Sequence, residues 1–286
     1  MAAEYPEQTT LRAQFFDKAI KQITKESYVM KQAVAIVSTD AWINFFWRED
    51  RTTLTGQTGN TVDGIPRLAE FPQASASWDR ISTILAKYGL EENISWEDIK
   101  TNEIDVMTRT SIKIAEAVAS SVDKVIYQGL SEKDNPSGIQ TMAAFAHWSE
   151  ASAAIIDDLL QAAEKIKDYN YPTDNLYCFV TSKDKRRIMN YLAGKGAQFP
   201  TIATDVTLNG AIGRLAGMTL IESKAVTASK ALVVVPKRCG TWRENQALAT
   251  ITKEDPYKSV TVRAVEMGTL QLTDPKAVVL ITDTQG

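Results

Sequence analysis

The sequence predicts a mixed α+β fold in which one long helix lies against β-structure, and three observations predict it. Apolar residues recur at helical spacing over about 33 residues after Ser95. Residues 247–281 are dominated by β-branched and other strand-forming types. Residues 48–77 are rich in Thr and Gly and too poor in apolar side chains to build a core of their own.

Composition and charge narrow the classes of function. The chain has 286 residues, of which 44% are hydrophobic and 23% charged, as in an ordinary globular protein with a real core. A net charge of -3 argues against a protein whose main task is to grip nucleic acid. There is neither a membrane-length apolar run nor the apolar block of a signal peptide, so we expect no membrane partner and a protein kept inside the cell. Cys178 and Cys239 are predicted to be free thiols.

The first 47 residues are predicted to form an N-terminal arm. Leu11, Phe15, Ile20 and Ile23 fall close to helical spacing. Such a helix either caps its own core or reaches onto another subunit, and the pattern does not separate the two. Residues 48–77 then predict a long two-stranded loop that has no core of its own and packs on another surface.

A strand and the long helix follow this loop. Residues 77–88 predict a strand that ends at Gly89, with a short return strand at 91–94. Ser95 is the expected N-cap of the helix, with Asp98 three residues later as in a capping box. Gly129 is the expected terminating residue. The helix would be about 50 Å long at about 1.5 Å per residue.

The remaining elements alternate between helix and strand. A second helix is predicted at 152–168, with Ile155, Leu159 and Ile166 on its buried side. A third helix begins with either Thr181 or Ser182 as its cap and runs through Leu192. The predicted strands lie at 176–180, 218–222, 231–236, 259–265 and 277–281.

No catalytic, cofactor-binding or metal-binding residues are predicted, and the expectation is that the protein is not an enzyme. His147 is the only histidine, so any histidine-based catalytic set would have to use it. It lies between Phe145 and Trp148, which favours a packed or surface residue. Residues 210–217 contain glycines but lack the Lys and Ser/Thr of a phosphate-binding loop, so they are interpreted as packing turns.

Five residues are candidates for contacts between subunits. Arg51, Arg67 and Trp78 lie in or beside the long loop, and Arg and Trp are typical interface anchors, although packing within the subunit is an equal alternative. Arg186 and Arg187 end the only basic run, residues 183–187. This run is interpreted as a solvated helix face. The sharper alternatives are contact with an acidic patch of a neighbour, the lining of an axial opening, or phosphate contacts with DNA that do not depend on sequence.

The order of these elements resembles the major capsid proteins of tailed double-stranded DNA phages and related archaeal viruses, whose shell fold is named after phage HK97. Three stretches are similar to that family. Residues 119–129, followed by Pro136-Ser137-Gly138-Ile139, resemble the end of its spine helix and the turn that follows. Residues 215–223 look like a Leu-x-Gly stretch that leads into a strand of its axial domain. Residues 274–281 resemble its closing strand.

The resemblance implies an HK97-like α+β capsid fold with an N-terminal arm, an extended β loop, a long spine helix, a peripheral β-sheet and an α/β axial domain. The implied domains are the arm at 1–47, the extended loop at 48–77, a peripheral domain at 78–151 plus 238–286 with the spine helix at about 95–129, and an axial domain at 152–237.

The implied function is a structural one. Copies of the chain would assemble through hexamers and pentamers into an icosahedral shell that encloses double-stranded DNA, in a virion assembled in the host cytoplasm. The partners would be other copies of the chain and, without sequence specificity, the packaged DNA. The resemblance leaves open whether a separate scaffolding protein and a portal take part. It implies no cofactor.

Three alternative functions remain at this point. An encapsulin-type compartment shell would have the same fold but would hold protein cargo. An α/β enzyme of unknown reaction is more remote, because a second histidine and a phosphate loop are missing. A phage decoration or tail-tube protein is usually shorter and lacks a spine helix. The content of purified particles would separate these classes.

Overall fold

The computed structural model describes residues 28–50, 65–68, 77–101, 106–133, 138–194 and 214–286, without the side chains of residues 49, 50 and 77. The described helices are α1 (Trp96–Thr101), α2 (Val106–Leu130), α3 (Ile155–Lys167) and α4 (Ser182–Gly194). The described strands are β1 (Ala35–Ser38), β2 (Ile43–Asp50), β3 (Ser77–Ile84), β4 (Ala86–Ser95), β5 (Gln140–Ala143), β6 (Leu176–Val180), β7 (Arg214–Leu215), β8 (Met218–Glu222), β9 (Lys230–Val234), β10 (Thr241–Asp255), β11 (Ser259–Gln271) and β12 (Val278–Thr282).

These strands form two sheets and a separate ribbon. A four-stranded sheet has the order β1-β10-β11-β4, and a six-stranded sheet has the order β5-β12-β9-β6-β8-β7. Strands β2 and β3 pair only with each other in the described part of the chain. Buried residues from both sheets and from the helices belong to one hydrophobic cluster, so a single core supports the two sheets. The predicted mixed fold is confirmed.

The long helix lies where the apolar period predicted it, as α1 and α2. The N-cap prediction is confirmed, because the backbone N–H of Asp98 donates to the Ser95 hydroxyl at 3.1 Å. Helix α2 packs on β11 and β4 through a buried face that includes Ile114, Val118 and Val122. The helix ends within one residue of its predicted end, but Gly129 lies inside its last turn rather than beyond it. Helix α2 continues to Leu130, and a Cβ at Gly129 would overlap the Leu270 side chain, so close packing explains this glycine.

The prediction that a strand ends at Gly89 is also wrong. The chain breaks instead at Leu85, which is buried, and β4 runs through Gly89 as an edge strand paired antiparallel with β11. A Cβ at Gly89 would lie 3.0 Å from the carbonyl oxygen of Ala264. This glycine therefore allows two backbones to approach closely inside a sheet.

The six-stranded sheet carries the predicted α/β elements. Helices α3 and α4 match the predictions for 152–168 and for the helix that follows strand 176–180. Thr181 rather than Ser182 caps α4, because its hydroxyl accepts the backbone N–H of Asp184 at 3.2 Å. Residues 216 and 217 both have positive φ and join β7 to β8 in a tight turn. The described end of the glycine-containing stretch is thus the predicted packing turn.

The sheet pairing differs from the predicted domain boundaries in one respect. Strands β5 and β12 fall in the predicted peripheral domain, yet they pair with each other and, through β9, with the strands of residues 152–237. The reason is burial, since β12 is an apolar run covered on both faces, as an interior strand requires. The arm at 1–47 lies outside the described residues up to residue 27, and most of the extended loop at 48–77 does also. The boundaries otherwise stay predictions.

Both cysteines are free and fully buried. Burial raises the pKa of the Cys178 thiol and of the Cys239 thiol to about 12. The two thiols are therefore core residues of low reactivity, in agreement with the sequence.

Candidate assembly surfaces

Strands β2 and β3 form a two-stranded ribbon outside the two sheets. Their antiparallel register places Ile43 opposite Ile84, Trp47 opposite Arg80 and residue 49 opposite Trp78. Side chains alternate between the two faces of a strand, so directly paired residues share a face. The outward face of the ribbon consists of Ile43, Phe45, Trp47, Trp78, Arg80, Ser82 and Ile84.

The outward face is apolar and open to solvent. Phe45 is 55% exposed, Trp47 57% and Trp78 51%, and Ile43 and Ile84 are exposed to a similar degree. The Arg80 guanidinium lies 4.2 Å from the centroid of the Phe45 ring and adds a cation–π contact. Monomeric proteins rarely expose a continuous patch of large apolar side chains, and such patches mark interaction sites.

The inward face of the ribbon is fixed to the core. Phe46 is buried, and the Arg48 guanidinium donates to the carboxylate of Glu132, just after the end of α2. The Gln271 side-chain amide donates to the Thr83 hydroxyl at 3.0 Å. These contacts hold the base of the ribbon, so the outward face is presented in a defined orientation.

The segment that precedes β1 is held by a buried group of charges, here called the Lys31 cluster. Its members are Tyr28, Lys31, Glu244 and Glu266. The Lys31 ammonium lies 3.0 Å from a Glu244 carboxylate oxygen and also contacts Glu266, which is fully buried. The Tyr28 hydroxyl donates to the other Glu266 oxygen. Burial, followed by the Glu266 charge, raises the pKa of Tyr28 well above its usual value.

Asp123 on α2 holds the same segment through its backbone. Its carboxylate accepts the N–H of Val29 at 2.7 Å and that of Met30 at 3.1 Å. Burial raises the pKa of Asp123 from 3.8 to about 6, although these N–H groups and the charge of Lys31 act in the opposite direction. The spine helix and the chain leading to β1 are therefore joined at a titratable group.

The Asp123 carboxyl should make stability depend on pH. The folded chain binds the proton of the Asp123 carboxyl more tightly than the unfolded chain does. The stability that the protonated carboxyl contributes is therefore complete below about pH 4 and is lost as the pH rises through about 6. Asp123→Asn cannot ionise. Relative to this variant, we expect the unfolding free energy of the unassembled wild type to fall by up to about 3 kcal/mol between pH 4 and 7 in urea titrations. The exposed control Asp157→Asn keeps Asp123, so its curve should run parallel to that of the wild type. Parallel curves for wild type and Asp123→Asn would contradict the prediction.

The basic run divides into exposed and internal residues. Arg187 donates to the carbonyl of Thr284 at 3.0 Å and lies 3.7 Å from the buried carboxylate of Asp184. Lys185 pairs with Glu222 at 3.0 Å. Lys183 and Arg186 are exposed. Within this run, Arg187 thus stabilises its own chain, and Arg186 presents its charge to solvent.

Arg186 and Arg187 line a cleft of about 770 Å³ beside α4. The turn at 148–151 forms its other wall, and Asn190, Tyr191 and Gly194 complete it. The cleft therefore combines aromatic surface with two guanidinium groups and the carboxylate of Glu150.

The predicted contact residues are distributed over separate surfaces. Trp78 lies on the outward face of the ribbon, and Arg67 is exposed in the short described stretch 65–68. Arg51 lies outside the described residues. Arg186 and Arg187 share the cleft at α4. The role of all five in subunit contacts stays a prediction.

The contribution of β2 to the outward face was not predicted from the sequence. Ile43, Phe45 and Trp47 were not singled out, because they fall within the predicted arm. The signal that could have found them is the spacing of large apolar residues at every second position directly before a polar loop.

The described residues hold no group of three or more His, Cys, Asp or Glu suited to a metal ion. His147 Nδ1 lies 2.9 Å from the carbonyl oxygen of Asp283, as in a residue that packs at the surface. None of the helices that the structure describes is long and apolar enough to cross a membrane.

Comparisons with known proteins identify relatives of this arrangement. The family model described as phage capsid protein matches residues 80–281, which is well over half of the chain. A search of curated protein sequences finds no match.

Solved structures share the fold at low sequence identity. The capsid of Cyanophage P-SCSP1u has a TM-score of 0.65 at 12% identity, over 91% of this chain and 89% of that one. A virus-like particle from Pyrococcus furiosus has a TM-score of 0.64 at 11% identity, over 94% and 99%. The mature capsid of bacteriophage PhiM1 has a TM-score of 0.62 at 16% identity, over 89% and 86%. The HK97-like fold that the sequence predicted is confirmed by this likeness.

Proposed function

The chain belongs to the phage capsid protein family, and from this premise we propose that its copies assemble through hexamers and pentamers into an icosahedral shell that encloses double-stranded DNA. As a capsid protein it is a structural component of a virion. Its function then depends on repeated contacts between copies of the chain rather than on a reaction at one site.

The outward face of the ribbon is the observation that carries the proposal. Five large apolar side chains are more than half exposed there, while the inward face is tied to the core through Arg48 and Thr83. Water-exposed apolar area of this kind is stabilised when another surface covers it. We infer that a neighbouring copy of the chain covers it in the shell.

The remaining proposed partners come from the resemblance to phage capsid proteins. A net charge of -3 is compatible with a wall that encloses DNA, because a container need not neutralise the DNA that it holds. A separate scaffolding protein and a portal would be further partners if other proteins direct the growth of the shell. We place assembly in the host cytoplasm.

The test is electron microscopy of particles purified from cells that express the full chain, with measurement of their nucleic-acid content. Closed shells, or hexamers and pentamers, are the expected result, and protected double-stranded DNA in particles from infected or induced cells would support the DNA cargo. Shells that hold a protein and no DNA would instead favour an encapsulin-type compartment. A monomer at high concentration, even with candidate scaffolding proteins from the same genome co-expressed, would overturn the proposal.

A further inference from the structure

Helix α3 carries an acidic stripe on its solvent side. Asp157, Glu164 and Asp168 are exposed and lie at positions i, i+7 and i+11, which fall on one helix face. Leu160 lies beside them and is 51% exposed. Asp157 and Glu164 form no ion pair within the part of the chain that the structure describes. The stripe therefore combines an exposed apolar side chain with two carboxylates, those of Asp157 and Glu164, that pair with no cation among the described residues.

Helix α4 carries the opposite sign on its solvent side. Lys183, Arg186 and Asn190 are exposed on one face. Lys183 and Arg186 lie in the first turns of the helix, where cations oppose the helix dipole, so local helix stability does not account for them. Arg186 borders the cleft whose other lining residues include Tyr191 and the turn at 148–151. This surface carries two exposed cations, Lys183 and Arg186, beside a partly aromatic cleft that also contains Glu150.

The two surfaces are separate and complementary. None of the residues that line the cleft belongs to α3. A surface that is complementary to a different surface of the same molecule forms a head-to-tail contact, and such contacts close into rings when repeated by rotation. Opposite charges across an interface select the partner and set its register.

We propose that the acidic stripe of α3 in one copy docks on the α4 surface of the next copy, with Leu160 entering the cleft and Asp157 and Glu164 facing Lys183 and Arg186. The occupant of the cleft is thus a second copy of this chain. The inference rests on the proposed function, because it names the contact that closes the ring of a hexamer or pentamer.

A crosslinking experiment on the full chain tests the contact directly. Leu160→Cys and Asn190→Cys place single thiols at the two surfaces, and the native Cys178 and Cys239 are fully buried. A short thiol-to-thiol crosslinker should yield dimers when the two variants are mixed before assembly, and not when either is assembled alone. The matched control mixes Leu160→Cys with Thr252→Cys, an exposed position on β10, and should yield none.

Charge reversal provides a second readout. Arg186→Glu should raise the protein concentration needed for ring formation at least about 10-fold. Asp157→Lys together with Glu164→Lys should have the same effect. Combining all three changes should restore a large part of the loss, since the pairs are then reversed. Particles of the mixed cysteine variants that form without the crosslink, or a triple variant no better than Arg186→Glu, would overturn the inference and leave the capsid function intact. Failure of the wild type to form particles, even with candidate scaffolding proteins co-expressed, would remove both.

Discussion

Replacing Phe45 and Trp47 together by Thr is expected to abolish shell formation while the chain still folds. Both side chains are more than half exposed on the outward face of the ribbon, so their loss removes little from the core. Thr keeps the strand propensity of β2. Buried aromatic anchors typically contribute about 2 kcal/mol or more each at an interface, so the pair should raise the concentration needed for assembly at least about 100-fold.

Light scattering during assembly and electron microscopy of the products would measure this effect. Circular dichroism and urea unfolding of the unassembled chain would check the fold. Phe145→Thr is the matched control, because Phe145 is 77% exposed but lies in the turn after β5, away from the ribbon. Particles of the Phe45 and Trp47 variant at the wild-type concentration would show that the outward face is not covered in the shell.

Elements with a strong local period were predictable from the sequence. The buried side of α3 was read from Ile155, Leu159 and Ile166, and all three are fully buried. Strand β6 was read from an apolar run between turn residues. In both cases the residues that define the element are neighbours in the chain, so local pattern and tertiary burial agree.

Elements that depend on distant partners were not predictable. Gly89 and Gly129 were interpreted as terminators, yet each lies in close contact with one neighbour, Ala264 or Leu270, more than a hundred residues away. Glu266 lies in a strand where a charge is unexpected at a fully buried position. Its cation, Lys31, is 235 positions earlier in the chain.

The assembly surfaces were also predictable only in part from the sequence. Trp78 was selected because tryptophan is a common interface anchor, and it lies on the outward face. The spacing of Phe45 and Trp47 puts them on one face of β2, but the sequence does not reveal that this face is the exposed one that also carries Trp78, because that depends on the pairing of β2 with β3. Alternation predicts which residues share a face of a strand, but not which face the core covers.

Lys31→Met is expected to cause a large loss of folding stability. The ammonium of Lys31 is the cation of the Lys31 cluster, where it contacts both Glu244 and the fully buried Glu266. Methionine fills a similar volume but leaves the Glu266 carboxylate buried beside the Tyr28 hydroxyl with no neutralising charge. Removing one partner of a buried ion pair typically costs about 3–5 kcal/mol, which is a large share of the stability of an ordinary domain.

Urea unfolding of the unassembled chain would measure the loss, with Lys258→Met as the matched control. Lys258 pairs with Asp255 at 3.4 Å on the surface, where both side chains are more than half exposed, and such pairs contribute at most about 1 kcal/mol. Adding Glu266→Gln to Lys31→Met should recover part of the stability, because the unpaired charge is then removed. Equal stabilities of Lys31→Met and Lys258→Met would mean that water or another group neutralises Glu266, and that the segment before β1 is held mainly by its backbone contacts with Asp123.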